Sequence, residues 1–312
     1  MAERSDRPGL GIALKLASVT VFVLMQALVK IASETVPAGQ AVFFRSAFAI
    51  PVIAIWLRAR SGGRLGAAVA TRRPWGHVAR GVLGTAGMGL GFAALSRLPL
   101  YEVQAISYAA PLLVVILAVL LAGERVRLVR IAAVLLGLAG VLVVLWPRLG
   151  GAAATPAATL GALFALGSAF CAALAQVFIR QLVETEETAA IVFWFSLTAS
   201  MLALLTLPFG WVVPSPGVAA MLVLAGLLGG VGQICLTAAY RFADAGVVAP
   251  FSYASMLLAL AIGLVAFGEA PRLSALGGAA LVVAGGALVA WRERQLGLRR
   301  GRARAASSPP PG

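Results

Sequence analysis

The chain predicts an all-α polytopic membrane protein, with ten transmembrane helices forming two inverted five-helix repeats around a central cavity. Three observations carry that reading. The sequence is 61% hydrophobic and 12% charged, with a mean hydropathy of +0.97, far more apolar than a soluble domain. Its charges sit in short stretches between continuous apolar segments of about 18 to 25 residues, the length a helix needs to cross hydrocarbon. Continuous runs exclude the alternating pattern of a β-barrel. Third, one pattern is written twice: Ser107-Tyr108-Ala109, an apolar run and Gly123-Glu124 return 145 residues later as Ser252-Tyr253-Ala254, an apolar run and Gly268-Glu269.

The same register sets Ala93-Ala94 on Ala238-Ala239, Arg127-Leu128 on Arg272-Leu273, Gly140 on Gly285 and Trp146 on Trp291. A register of 150 relates the starts of the halves: Gly11 falls on Gly161, Ser18 on Ser168, Gln26 on Gln176, Lys30 on Arg180, Phe43 on Phe193 and Ser46 on Ser196. The chain is therefore two copies of a unit of roughly 140 residues.

In order, the expected spans are 10–32, 38–57, 77–96, 100–122, 128–146, 158–181, 188–208, 217–240, 246–267 and 273–291. Pro37, the stretch from Arg58 to Pro74, Pro99, Arg125 to Arg130, Pro147 to Pro156, Glu184 to Glu187, Pro208 to Pro216, Asp244 and Pro271 mark the joints. The organisation is a cytoplasmic segment 1–9, a first repeat 10–147, a linker 148–157, a second repeat 158–292 and a basic tail 293–312, expected to be disordered. The first apolar segment is too long for a signal sequence, contains Lys15 and lacks a small-residue cleavage site, so it is expected to stay attached.

Arginine placement sets the expected orientation. With the first residue cytoplasmic, the inner loops and tails hold eighteen arginines against three outside, Arg97, Arg148 and Arg272. The positive-inside rule then puts both termini in the cytoplasm of a cell inner membrane. The net charge of +14 belongs to these membrane-flanking stretches, so no nucleic-acid partner is expected. Cys171 and Cys235 lie in apolar segments without metal-type spacing and read as small core residues; no metal or cofactor is expected.

An odd number of spans per copy forces the second copy into the membrane upside down. Inverted repeats of this kind are the signature of secondary transporters, with the substrate at the junction near the midplane. The doubled Gly-Glu at helix ends, each followed by an arginine (Arg127, Arg272), the run Ala249-Pro250-Phe251-Ser252-Tyr253, and Phe43-Phe44-Arg45 carry a resemblance. On these residues the chain resembles the drug/metabolite transporter superfamily, specifically its EamA-type ten-helix members, over about residues 10–292. The resemblance implies a basket of ten helices around a cavity and a secondary transporter of small metabolites. Amino acids or related amphipathic compounds are the leading substrate class and export the leading direction. A lipid or lipid-head-group flippase is the alternative. An enzyme is not expected: the single His77 and the absence of intramembrane aspartate leave no catalytic set, and no phosphate-binding loop appears.

Polar residues inside spans are costly in lipid and are the candidates for the pathway. Gln26 and Gln176 are repeat mates able to donate and accept hydrogen bonds, whether to a solute or between helices. Arg45 has Phe195 as its mate and can fork onto a carboxylate or phosphate, pair with Glu102, or snorkel; Lys30 lies at similar depth. Glu102 is the candidate for proton coupling. Gln104, Ser107 and Tyr108 of the fourth span, Gln233 and Thr237 of the eighth, and Ser252 and Tyr253 of the ninth complete the expected lining, beside Tyr101 and Tyr240. Tyr108 and Tyr253 read as gates or stacking platforms, Tyr101 and Tyr240 as interfacial anchors, and His77 as an interface residue. The Gly-Glu pairs read as helix ends whose carboxylates meet the next helix or Arg127 and Arg272. Glycine stripes at 81, 84, 87 and 91 and at 226, 229 and 232 permit close helix approach, internally or in a homodimer. Pro51, Pro111 and Pro250 are candidate hinges.

Overall fold

The computed structural model describes residues 7–60, 66, 69–122, 128–149, 154–182, 185–242 and 249–288. Its helices fall into ten spans. Spans 1, 3, 5, 6, 7 and 8 run continuously over Pro8–Ala32, Pro74–Leu95, Leu128–Leu149, Pro156–Leu182, Thr188–Leu204 and Pro216–Phe242. Span 2 is Ala38–Ala47 followed by Ala49–Arg60, span 4 is Leu100–Ser107 followed by Ala109–Ala122, and span 9 is a 3₁₀ turn Ala249–Tyr253 leading into Ala254–Phe267. Span 10 covers Leu273–Leu288, and among the described residues no strand occurs. Six of the described helices are long and apolar enough to cross a membrane unaided. The chain is thus an all-α, multi-pass membrane protein.

Proline shapes both the ends and the interruptions. Spans 1, 3, 6 and 8 each open on a proline, whose missing N–H is one the first turn leaves unbonded anyway. Span 3 accordingly begins at Pro74, ahead of the expected residue 77. Spans 2 and 4 break at Phe48 and Tyr108, each three residues before a proline, Pro51 or Pro111, that cannot donate back into the helix. The 3₁₀ turn that opens span 9 ends at Tyr253, the repeat mate of Tyr108, so both copies are irregular at one equivalent position.

The inverted duplication is visible atom by atom. The Ser18 hydroxyl donates to the Gly232 carbonyl at 2.9 Å, and its mate Ser168 donates to the Gly87 carbonyl, mate of that carbonyl, at 2.6 Å. A side chain at Gly226 would meet Phe48, and one at Gly81 would meet Thr198, again both members of mated pairs. Spans 5 and 10 cross through glycine: a Cβ at Gly140 would stand 2.6 Å from the Gly278 carbonyl, and one at Gly285 would stand 2.8 Å from the Ala133 carbonyl. The two glycine stripes are filled within the chain by Thr198, Phe195, Cys171, Ser168, Phe48, Arg45 and Phe22. Among the described residues both stripes therefore pack against helices of the same chain.

The two ends of the bundle are conveniently named by their prolines. Loop 33–37 and residues 96–99 lie at the Pro37 end; residues 70–73 and 185–187 lie at the Pro74 end. The main core holds Val29, Leu95, Leu98, Leu100, Tyr101, Ile106, Val144 and Leu145, so it is concentrated toward the Pro37 end.

Candidate functional site

Two of the irregular turns deliver the tyrosines. Tyr108, at the break in span 4, and Tyr253, at the end of the 3₁₀ turn of span 9, face each other with ring centroids 5.1 Å apart. Mates that touch must sit on the pseudo-two-fold axis. The Tyr108 hydroxyl lies 3.2 Å from the Ser252 carbonyl oxygen and in hydrogen-bond contact with the Ser255 hydroxyl. Gln104 Nε2 donates to Ser255 Oγ at 3.0 Å and to Ser107 Oγ at 3.3 Å. Gly286 on span 10 has no side chain because the Tyr253 hydroxyl occupies that space. Five of the expected lining residues, Gln104, Ser107, Tyr108, Ser252 and Tyr253, therefore form one polar cluster with Ser255. Sequence reasoning passed over Ser255, although it follows Ser252 by one helical turn.

Gln26 and Gln176 are not in that cluster. Both lie on the inward stripes of their helices, opposite the exposed stripe of Leu10, Leu24 and Ile31 on span 1 and of Leu163 and Phe170 on span 6. Gln26 is half-buried and its Oε1 is buried without a partner, whereas Gln176 is exposed. Gln176 continues the stripe of Ala158, Ala165 and Ala169, all buried, so the interior closes at the Pro37 end and opens toward the Pro74 end. Other mates agree: Val29 and Ile106 are fully buried, while Ile179 and Phe251 are half-buried. Gln233 and Thr237 continue the inward face of span 8 beyond Gly229 and are half-buried. The side chain of Tyr240, like Gly123, Glu124, Arg127 and Asp244, lies outside what is described.

Charged residues seal the Pro37 end. Lys30 Nζ donates to the carbonyls of Leu95 and Leu98, at 3.1 and 2.6 Å, and pairs with Glu269 Oε1 at 3.0 Å. Glu269 Oε2 accepts the amide of Leu100, the first residue of span 4, at 2.9 Å. Gly268 ends span 9 in the left-handed conformation at φ 63°, as a terminating glycine should. The Glu269 partner is thus Lys30 and a helix N-terminus rather than Arg272. Arg148, expected in a linker, belongs to the last turn of span 5 and grips Glu102 with two hydrogen bonds of 2.8 Å. That geometry corrects the Arg45–Glu102 option. Tyr101, expected as an interfacial anchor, is instead 2% exposed and packed inside this seal.

Arg45 stands elsewhere. Its guanidinium lies over Phe195, its own repeat mate, with Cζ 5.8 Å from the ring centroid, and Arg80 of span 3 covers the same ring at 3.5 Å. Arg80 was not foreseen. His77, expected at an interface, is also buried, with Nε2 3.7 Å from Glu186 and its ring 6.2 Å from that of Trp194. An apolar cleft bounded by Pro74, His77, Val78, Trp194, Leu197 and Met201 opens between spans 3 and 7, apart from the tyrosine cluster. Among the described residues no group of His, Cys, Asp and Glu could hold a metal ion.

Comparisons with known proteins agree with this architecture. The model of the EamA-like transporter family matches twice, over residues 9–146 and 159–291. The chain is 31% identical over 280 residues to the pseudopaline exporter CntI of Pseudomonas aeruginosa (strain UCBPP-PA14), covering 89% of this chain and 93% of that protein. It is 32% identical over 249 residues to a riboflavin transporter of Rhizobium johnstonii, covering 79% of each. To an S-adenosylmethionine uptake transporter of Rickettsia prowazekii it is 25% identical, covering 73% of this chain and 76% of the other. A crystal structure of a protein 26% identical in sequence superposes with a TM-score of 0.63, over 91% of this chain and 98% of that one. Both matched segments and these transporter relatives lead to one conclusion: the chain belongs to the EamA-like transporter family and is a membrane transporter of small metabolites.

Proposed function

We propose that the protein exports small amphipathic metabolites, amino acids or related compounds, across the inner membrane by alternating access, with both termini cytoplasmic. The observation that carries this reading is the meeting of repeat mates Tyr108 and Tyr253 on the axis, ringed by Gln104, Ser107, Ser252 and Ser255. A site on the axis stays equidistant from both ends while the halves rock, as a carrier requires. Aromatic faces and neutral donors and acceptors suit a solute with an apolar body and a polar head. Gln26, Gln176, Gln233 and Thr237 line the approach. The bundle is looser at the Pro74 end, which the arginine rule places in the cytoplasm, so the site would load from inside. Export by the pseudopaline relative points the same way.

Glu102 couples the cycle to protons in this reading. Protonation would remove the charge that holds Arg148 and free one of the two ion pairs closing the Pro37 end. The test is efflux from proteoliposomes loaded with amino acids, riboflavin or S-adenosylmethionine, with and without a proton gradient. Gradient-dependent efflux that falls at least tenfold in Tyr108→Ala and Gln104→Ala is expected. Efflux untouched by either change would reject the axis site, and movement of labelled lipid without any solute would replace the carrier by a flippase.

A further inference from the structure

Arg45 and Arg80 are buried cations that belong neither to the tyrosine cluster nor to the Pro37 seal. Arg45 and Arg80 are 7% and 8% exposed. Their Cζ atoms lie 5.8 and 3.5 Å from the Phe195 ring centroid, which limits their separation to the total of those distances. Arg45 Nε and Arg80 Nε and Nη1 are buried with no hydrogen-bond partner. Among the described residues neither guanidinium forms an ion pair; the acidic groups Glu102, Glu186 and Glu269 are engaged with Arg148, His77 and Lys30.

The backbone around them is cut away. A Cβ at Gly229 would stand 3.1 Å from Arg45 Nε, and one at Gly84 would stand 3.4 Å from Arg80 Nη1 and 2.7 Å from the Phe195 ring. Gly84 and Gly229 are repeat mates, as are Arg45 and Phe195, so this constellation also straddles the axis, on the side of spans 2 and 7. Cation–π contact offsets part of the charge burial, but it does nothing for the repulsion between two like charges or for unbonded N–H groups. Two neighbouring forks with no internal counter-charge are complementary to oxyanions brought in from outside.

We propose that Arg45 and Arg80 form an anion-binding site that receives the two carboxylates of a small dicarboxylate solute, against the face of Phe195. The site rests on the carrier reading and narrows its substrate class to solutes with more than one carboxylate. Neutralising both guanidiniums takes two negative charges. A monocarboxylate would leave one fork unfilled.

Full-length protein in phosphatidylcholine nanodiscs, in a methanesulfonate buffer of constant ionic strength, tests this by thermal unfolding against glutarate. Glutarate should raise the unfolding temperature saturably, whereas glutaramide, uncharged and of like size, should not. Arg45→Gln and Arg80→Gln should each weaken the apparent glutarate affinity at least tenfold, and Arg97→Gln, at an exposed loop, should leave it unchanged. Arg45→Lys and Arg80→Lys keep the charge should a glutamine variant fail to fold, and are expected to bind with intermediate affinity. Equal stabilisation by glutaramide, none by glutarate, or lysine variants binding as tightly as the parent would overturn the proposal. So would tighter binding of inorganic phosphate, or loss of glutarate binding in phosphatidylglycerol nanodiscs, which assigns the forks to a lipid headgroup. No anion binding alongside solute efflux would sink this site and leave the carrier intact. Glutarate binding with no efflux of any solute would do the reverse.

Discussion

The two ends of the bundle are built from mated residues, yet they are in different states. At the Pro37 end Val29 and Ile106 are buried in one core cluster with Tyr101, and two ion pairs, Lys30–Glu269 and Arg148–Glu102, tie spans 1, 4, 5 and 9 together. At the Pro74 end the corresponding Ile179 and Phe251 are half-buried and Gln176 is exposed. Between the ends the helix seams are the same on both sides, down to the Ser18 and Ser168 hydrogen bonds. Duplication has thus preserved the packing of the seams and the charge at positions 30 and 180 and at 124 and 269, whereas Glu102 and Arg148 fall on Val247 and Glu293.

That contrast can be broken most strongly at Glu102. Glu102→Gln keeps the shape but leaves Arg148 without its carboxylate, and should cost about 3 kcal/mol of stability, read by thermal unfolding in nanodiscs. A cost within error of zero would mean the pair does not hold the end shut. Lys30→Met should lower stability less, because Lys30 is partly exposed, but should raise thiol labelling of an engineered Val103→Cys several-fold. Unchanged labelling would remove the seal from the comparison. Gly286→Ala should push the Tyr253 ring from Tyr108 and cost about 1–3 kcal/mol by overpacking, with a matching fall in transport. The mildest and sharpest pair is Ser18→Ala against Ser168→Ala. Each removes one interhelical hydrogen bond and should cost about 0.6 kcal/mol, equally on both sides. A difference of more than about 1 kcal/mol would show that the seams are not equivalent.

Much of this was legible in the chain itself, for reasons that differ by residue. The repeat was readable because Ser18, Gly87, Gly140 and Tyr108 do their work by touching mates or mated helices, so the same residue is needed twice. The tyrosine cluster was readable for the same reason. The Glu102–Arg148 pair was hidden by Pro147, which reads as a stop, although the helix runs on to Leu149. A proline so near a C-terminal end leaves only the last two residues of the helix to be displaced. Arg80 was hidden by its position, six residues into span 3, where an arginine usually snorkels to the interface. Only the placement of Phe195 and Gly84 reveals that it turns inward. His77 and Tyr101 misled through the same preference of polar aromatics for interfaces.

The serine–glycine seams have a mechanical corollary. Spans 1 and 8 are bolted together by one, spans 3 and 6 by the other, each at a backbone carbonyl with no side chain to yield. These pairs are stiff pillars. The regular helix is interrupted instead in spans 2 and 4, at Phe48 and Tyr108, and span 9 opens on the 3₁₀ turn that ends at Tyr253. Two of these irregular points carry the paired rings of Tyr108 and Tyr253, so a change of bend there would alter the contact between them.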